Sequence, residues 1–392
     1  MSITLLVTDK DLNVVGDPIA DWDSLKVTRT DNAPASGQLS LAARPEVMAQ
    51  LQPGHRLVVI RDGQVWTAGP MEIPQEWQEG LGGADGGQDE PPPGGVEVNF
   101  SSDLAVIAGH LTYPNPALPA SSASQPANYV RTGVGGEALL RDLVNLNAGP
   151  GALAARRVPR LVLGAPAGVG TATAVTTRFE PLGDVLRKVA LAGGNLAFDT
   201  RQTSGPDGDQ ILFEVRARRD LTDTARFSFD LNNLRYVRYK LSAPTVTSAI
   251  VAGSGETSPP VVEVTDTGAE TTWWRVEKYV SGPAETDADG ELTAAGQQEL
   301  AGGASPVELT TLTVDTDDLR AGYDFGIGDL VTVALPTGLE VADYVRTDTL
   351  TATPDDGESV VSVVGTPDAT TDRRLVLLIR ELSARLGRLE TR

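Results

Sequence analysis

Short apolar or alternating runs, punctuated by Gly, Pro, Asn and Asp, dominate the chain and predict strands. Ile3 to Val7, Ser24 to Thr28 and Gln38 to Leu41 read this way. Arg56 to Ile60 leads into Asp62-Gly63, a hairpin signal in which both central residues favour positive φ, and Val65-Trp66-Thr67 returns. Residues 79–95 (EGLGGADGGQDEPPPGG) have almost nothing to bury and predict a mobile loop tip, after which Val96 to Phe100 resumes a strand. Residues 1–110 are therefore expected to form an all-β unit, a small barrel.

Residues 111–128 are rich in Pro, Ser and Ala and read as an extended arm. Beyond them the period changes. Gly136 to Val144 places apolar residues at helical spacing, and Gly149-Pro150 stops it. A second helix is expected from Pro181 to Leu191, with Leu182, Val185, Leu186 and Val189 on one face and Gly193-Gly194 behind it. Asn195 to Arg201 and Ile211 to Ala217 make a hairpin. Strands return at Ala225–Phe229, Leu234–Leu241, Val246–Val251, Trp273–Val280, Leu309–Val314, Leu330–Ala334 and Ser359–Val364, with one helix at Leu292–Leu300. Gly54, RLVVI and Asp62-Gly63 match Gly328, DLVTVAL and Thr337-Gly338, a faint internal repeat that suggests two related barrels.

The resulting fold class is mainly β with a smaller α+β portion. Its expected domains are a barrel at 1–110, a connector arm and α+β insert at 111–208, and a second barrel from 209–262 and 305–372. A small strand–helix insert at 263–304 and an amphipathic helix at 373–392 complete the chain.

Composition narrows the chemistry. The 392 residues contain no Cys, which removes disulfides, thiolate metal sites and cysteine nucleophiles, and only His55 and His110 are available as imidazoles. With 53 acidic against 32 basic residues, the net charge of −21 opposes tight nucleic-acid binding. Met1 to Asp11 lacks a basic leader and a small-residue cleavage site, so no secretory signal is expected. The apolar run Leu375–Ile379 is far too short to span a bilayer. The expected place of synthesis is a cytoplasm.

Candidate motifs are weak. Gly133, Gly135 and Ala138 fit a dinucleotide fingerprint in spacing, but a connector precedes them rather than the strand of a βαβ unit. The turn GAPAGVGT (164–171) lacks the Lys-Ser/Thr of a phosphate loop. Glu285, Asp287, Asp289 and Gly290 suggest a calcium loop, yet the position of its bidentate Glu, 296, is Gly. No nucleophile, acid–base pair or cofactor motif stands out, so neither catalysis nor a cofactor is expected. The C-terminal stretch 373–392 holds six Arg and two Glu in an otherwise acidic chain. Leu375, Ile379, Leu382, Leu386 and Leu389 follow a heptad seam, with Arg385 at g and Glu390 at the next e, and make the candidate oligomerisation or docking residues.

Several segments, in this order and spacing, resemble the minor tail proteins of actinobacterial siphoviruses of the ReqiPepy type. They are HLTYPNPA (110–117), GGEALLRDLVNLNAGPGALAARRVPRLVLG (135–164), RFEPLGDVLRKVALAGG (178–194), ILFEVRARRDLTDTARFSFDLNNL (211–234), APTVTSAIVAGSGE (243–256), WWRVEKYV (273–280) and FGIGDLVTV (325–333). Trp273-Trp274-Arg275 stands where the family usually has Trp-Gly-Arg. The resemblance implies a tail-tip (baseplate) hub: two similar barrels closing a ring with symmetry mates, usually as a trimer, around the path of the tape-measure protein and the DNA. Implied partners are a distal tail or tube protein above and a spike, fibre or other receptor-binding protein below. The alternatives are a hub of a phage-derived contractile injection system, or a tail-associated cell-envelope-binding or hydrolytic protein. The second would need a separate catalytic domain or aromatic-rich loops.

Overall fold

Most alternating runs do become strands. The computed structural model describes residues 3–77, 95–206, 208–253, 260–281, 291–303, 307–355 and 357–365. The first section carries β1 (Ile3–Thr8), β2 (Ser24–Thr30), β3 (Ala33–Ala42), helix α1 (Pro45–Met48), β4 (Arg56–Arg61), β5 (Gln64–Trp77), β6 (Gly95–Ser101) and α2 (Leu104–Ala108). An α+β section follows with β7 (Tyr129–Gly135), α3 (Gly136–Asn147), β8 (Leu161–Leu163), β9 (Ala172–Thr177), α4 (Leu182–Ala192), β10 (Ala197–Gly205) and β11 (Gly208–Arg216). Then come β12 (Arg226–Phe227), β13 (Leu234–Leu241), β14 (Ser248–Ala252), β15 (Val261–Thr265), α5 (Thr267–Thr272), β16 (Glu277–Ser281) and α6 (Glu291–Gly303). The last four strands are β17 (Val307–Val314), β18 (Leu330–Ala334), β19 (Glu340–Thr353) and β20 (Gly357–Val364). The chain is mainly β with a smaller α+β portion.

Among the described residues two compact units result, one from residues up to 236 and from 311 to 365, the other from residues between 237 and 310. One hydrogen-bonded path runs β1-β4-β5-β6-β3-β2-β19-β20-β17-β13, its last two strands belonging partly to each unit, with β18 paired to β19 and β12 to β18. The path holds the same five-strand order twice: β4-β5-β6-β3-β2 and β18-β19-β20-β17-β13. The faint sequence repeat is thus a structural one, and the match extends to register. Gly54 and Gly328 both open their hairpin at φ 84°. Arg56 pairs with Pro70 and Leu330 with Tyr344, and in each of these matched positions the residue numbers differ by the same amount. Both long strands have 14 residues, change partner midway, and carry a bulge just afterwards, between Met71 and Ile73 and between Val345 and Thr347. Where the first half joins β2 to β3 through Asp31 and Asn32 alone, the second half has the whole segment between β13 and β17.

The α+β section packs α3 and α4 over the three-stranded sheet β10-β11-β8. Leu139, Leu140, Leu143 and Val144 of α3 and Leu182, Val185, Leu186 and Val189 of α4 share one core with Phe198, Ile211, Phe213 and Val215. A Cβ at Gly136 would lie 2.7 Å from the Gly193 backbone, so only glycine permits that approach. The second unit has the sheet β15-β14-β16, with Ala249 and Val251 meeting Leu292 of α6.

Several segments differ from the sequence reading. Residues 111–128 are not an extended arm. Thr112 is fully buried, its hydroxyl 2.7 Å from that of Thr177, and the Gln125 side chain donates to the carbonyls of Asn115, Leu118 and Pro119, closing the segment on itself. Instead of a strand from Trp273, α5 ends at Thr272, started by Asp266 accepting from the Ala269 amide, and β16 begins only at Glu277. Finally, the strands β7, β8, β9, β15 and β19 and the short helices α1, α2 and α5 have no counterpart in the sequence reading.

Candidate assembly interface

The two halves of the first unit meet where β2 adds antiparallel to β19, from Thr30 opposite Thr347 to Leu25 opposite Ala352. The seam is dense. Thr28 Oγ1 and Thr349 Oγ1 are 3.2 Å apart, and Arg29 reaches Asp348 at 2.9 Å. Asp348 is wholly buried and also accepts from Ser362 Oγ at 2.7 Å, while the Arg29 guanidinium stacks 3.5 Å over the Trp66 ring. These contacts lock β2 onto β19, with a charge-assisted bond to a fully buried carboxylate.

A second clasp holds the tip of the first hairpin. Arg61, 2% exposed, donates to Glu358 at 2.8 Å, to Asp315 at 2.9 Å and to the Ala321 carbonyl at 2.9 Å. Burial pushes the Asp315 carboxyl up to about 6, against the lowering effect of the Ala321 amide and Arg61. Beside it, Arg320 donates to Asp62 at 2.7 Å and Tyr323 Oη to the Arg61 carbonyl at 3.2 Å. Thus the 315–325 segment of one half grips the β4–β5 turn of the other. Further arginines tie in the α+β section: Arg218 and Arg346 converge on Asp31, and Arg216 and Arg219 on buried Asp329. Each pair joins residues more than a hundred positions apart, so sequence reasoning had no local signal for them.

The sequence motifs resolve into structural roles. A strand, β7, does precede Gly136, but it pairs antiparallel with β9, so the segment is no βαβ unit. The 164–171 turn cradles Glu137: its carboxylate accepts from the Ala167 amide at 2.7 Å and the Val169 amide at 2.9 Å, filling the place an anion would need. Burial pushes the Glu137 carboxyl up, but the amides of Val169, Ala167 and Gly168 outweigh it and hold the group below the usual range. His55 Nδ1 lies 2.6 Å from the Gln50 carbonyl, and the two ring nitrogens of His110 face the carbonyls of Val106 and Arg156. Both histidines are thus engaged by backbone.

A groove of about 370 Å³ is lined by Arg29, Trp66, Asp199, Arg216, Arg219 and Phe325, among others. Asp199 is open to solvent from the groove, yet the protein around it desolvates it enough to push its carboxyl up to about 6, in spite of the Thr200 amide and the charges of Arg29 and Arg216. Among the described residues no cluster of His, Asp or Glu could hold a metal ion, and no helix is long and apolar enough to cross a membrane. Leu375, Ile379, Leu382, Arg385, Leu386, Leu389 and Glu390 lie outside the described residues, as do Glu285, Asp287, Asp289, Gly290 and the loop residues 79–94.

Exposure distinguishes the two halves. Where β2 covers β19, Asp348, Thr349 and Leu350 are buried; on β5 at the matching place, Glu72, Ile73, Gln75 and Glu76 are exposed. Apolar residues are also exposed beside the second hairpin tip: Phe229 at 42%, Leu231 at 53% and Leu339 at 45%.

Three solved structures share the fold. A 43 kDa tail protein of prophage MuSo2 from Shewanella oneidensis is 12% identical with a TM-score of 0.54, over 93% of this chain and 97% of its own. A tail protein from Neisseria meningitidis MC58 is 14% identical at 0.52, over 93% and 97%. Prophage tail protein gp18 from Listeria monocytogenes EGD-e is 10% identical at 0.53, over 96% and 99%. No curated protein matches the chain. The profile of one family, described as Siphovirus ReqiPepy6 Gp37-like protein, matches residues 4–366, nearly the whole length, and the resemblance read from the sequence is thereby confirmed: the chain belongs to that family.

Proposed function

We propose that this protein is a structural hub of a phage tail tip, three copies of which close a ring that continues the tail tube. The observation that carries the reading is the register-matched duplication of the five-strand order within one chain. Three such chains supply six similar halves, and a head-to-tail contact between unlike halves generates a closed ring when its rotation closes. The acidic balance of the chain, −21, suits a passage for DNA, because a wall that repels phosphate lets the duplex slide. In this reading the protein performs no catalysis. It contacts a distal tail or tube protein on one side and a spike or fibre on the other, surrounds the tape-measure protein, and uses the stripe from Leu375 to Leu389 for docking.

The test is the copy number in assembled tails, measured by mass on purified tail tips. Three copies per tip support the reading; a single copy overturns it.

A further inference from the structure

Resting on the ring reading, we infer that β13 of one copy adds antiparallel to the outer edge of β5 of the next, repeating between chains the seam that β2 makes on β19 within the chain. The partner is therefore a second copy of this protein. Four observations support it.

First, β13 occupies in the second half the place that β2 occupies in the first, next to β17 as β2 is next to β3, and it ends the strand path. The two strands also match in chemistry, Leu25-Lys26-Val27-Thr28-Arg29-Thr30 against Leu234-Arg235-Tyr236-Val237-Arg238-Tyr239. Second, the acceptor is uncovered where its counterpart is covered. Asp348 and Thr349 of β19 are 0% and 1% exposed in the seam with β2, whereas Gln75 and Glu76 at the matching place on β5 are exposed, and Ile73 is 43% exposed where Thr347 is half-buried. Third, the charges complement one another. Exposed Arg235 stands on a strand without an acidic residue, and β5 offers Glu72 and Glu76 without a basic one.

Fourth, the same operation accounts for the apolar patch. Within the chain, residues 315–325 of the second half grip the β4–β5 turn of the first through Arg320–Asp62 and Tyr323–Arg61. Their counterpart in the first half is the segment 43–55 between β3 and β4. Moved one step round the ring, it falls on the β18–β19 turn of the preceding copy, where Leu339, Phe229 and Leu231 are exposed. One heterologous contact thus covers both an open strand edge and an apolar patch.

The chain has no Cys, so introduced cysteines report without background. Following the register of β2 on β19 through the β5 bulges, Thr28 opposite Thr349 becomes Val237 opposite Glu76, and Thr30 opposite Thr347 becomes Tyr239 opposite Ile73. Facing residues of antiparallel strands lie within disulfide reach. Two full-length variants, Glu76→Cys and Val237→Cys, are co-expressed and built into tails, oxidised, and run without reductant; Ile73→Cys with Tyr239→Cys gives an independent pair should the first fail to fold. The Thr28→Cys, Thr349→Cys chain is the control and links within itself. A covalent dimer in the mixed sample, absent from either single variant alone, is the expected result. Three-copy tips that form no mixed dimer with either pair overturn the β13–β5 seam and leave the ring standing. Tips holding a single copy overturn both.

Discussion

Arg61→Met removes the cation at the centre of the clasp between the two halves. Methionine keeps much of the apolar stem, so the loss isolates the charge. It leaves Asp315 and Glu358, with side chains 14% and 5% exposed, facing each other without their common partner. Deleting one member of a buried ion pair costs about 3–5 kcal/mol, because the remaining charge is desolvated and unpaired. The pH dependence follows from Asp315, whose carboxyl is pushed up to about 6 by burial in the folded protein, above its ordinary value of 3.8. Between these values the folded state binds the extra proton, so the contribution of this group to stability falls as pH rises from about 4 to 6 and is level above. Without Arg61 the folded-state value moves higher still, and the fall continues beyond pH 6. Urea unfolding followed by circular dichroism should therefore show a loss of about 3–5 kcal/mol at pH 8 and a loss at least about 1 kcal/mol smaller at pH 5, where Asp315 is already neutral. Adding Asp315→Asn and Glu358→Gln should restore part of it. A loss below about 1 kcal/mol at pH 8, or a greater loss at pH 5, refutes the reasoning.

Asp199→Asn should flatten part of the pH dependence of the melting temperature: the wild-type group, pushed up to about 6, favours the folded state increasingly as pH falls from 6 towards 4, and the variant lacks this gain. Scanning fluorimetry at pH 7.5 and pH 5 reads it, and equal slopes for both proteins count against it. Glu137→Ala should cost about 1.5–3 kcal/mol at pH 7 through two lost charge-assisted bonds; the wild-type contribution is present above pH 4.5 and is lost as pH falls through the depressed folded-state value, so the two proteins should converge in acid. Gly69→Ala should destabilise by about 1–3 kcal/mol in thermal unfolding, since a Cβ there meets the Ser101 carbonyl at 2.1 Å and backbone cannot rotate away; an unchanged melting temperature would show that β6 shifts freely.

Much of the fold was legible because it depends on local pattern. The hairpin at Asp62-Gly63, the helices α3 and α4 and the strand Leu234–Leu241 each follow from periodicity and turn chemistry within a dozen residues. β19 was not legible, for a physical reason. Its centre, Thr347-Asp348-Thr349, is polar in sequence, yet Asp348 and Thr349 are buried in the seam, where Arg29, Ser362 and Thr28 satisfy them. Polar residues buried by distant partners carry no alternation. The same holds for residues 111–128, whose composition suggests a free arm while Thr112 and Gln125 tie it down. The assembly interface was legible only as the faint repeat; its arginine pairs needed the tertiary structure.

The two seams differ in one respect that bears on assembly. In the permanent seam half-buried Arg29 pairs with fully buried Asp348, but on β5 the register of Asp348 falls to Pro74 and Gln75, inside the register shift between Ile73 and Glu76 against β6. Gln75 is engaged by its own half, donating to the carbonyls of Met48 and Leu51. The proposed inter-copy seam would therefore have no buried charge to match and would depend on rim charges and apolar cover, which favour a fast, reversible encounter over a permanent bond. Pro74 also removes one backbone donor from β5, and proline and bulges on an edge strand oppose indiscriminate pairing. An edge so blunted opposes pairing in the free chain. In the proposed ring it would accept only a strand delivered together with the apolar contact at Phe229, Leu231 and Leu339, which would favour ring closure over open-ended aggregation.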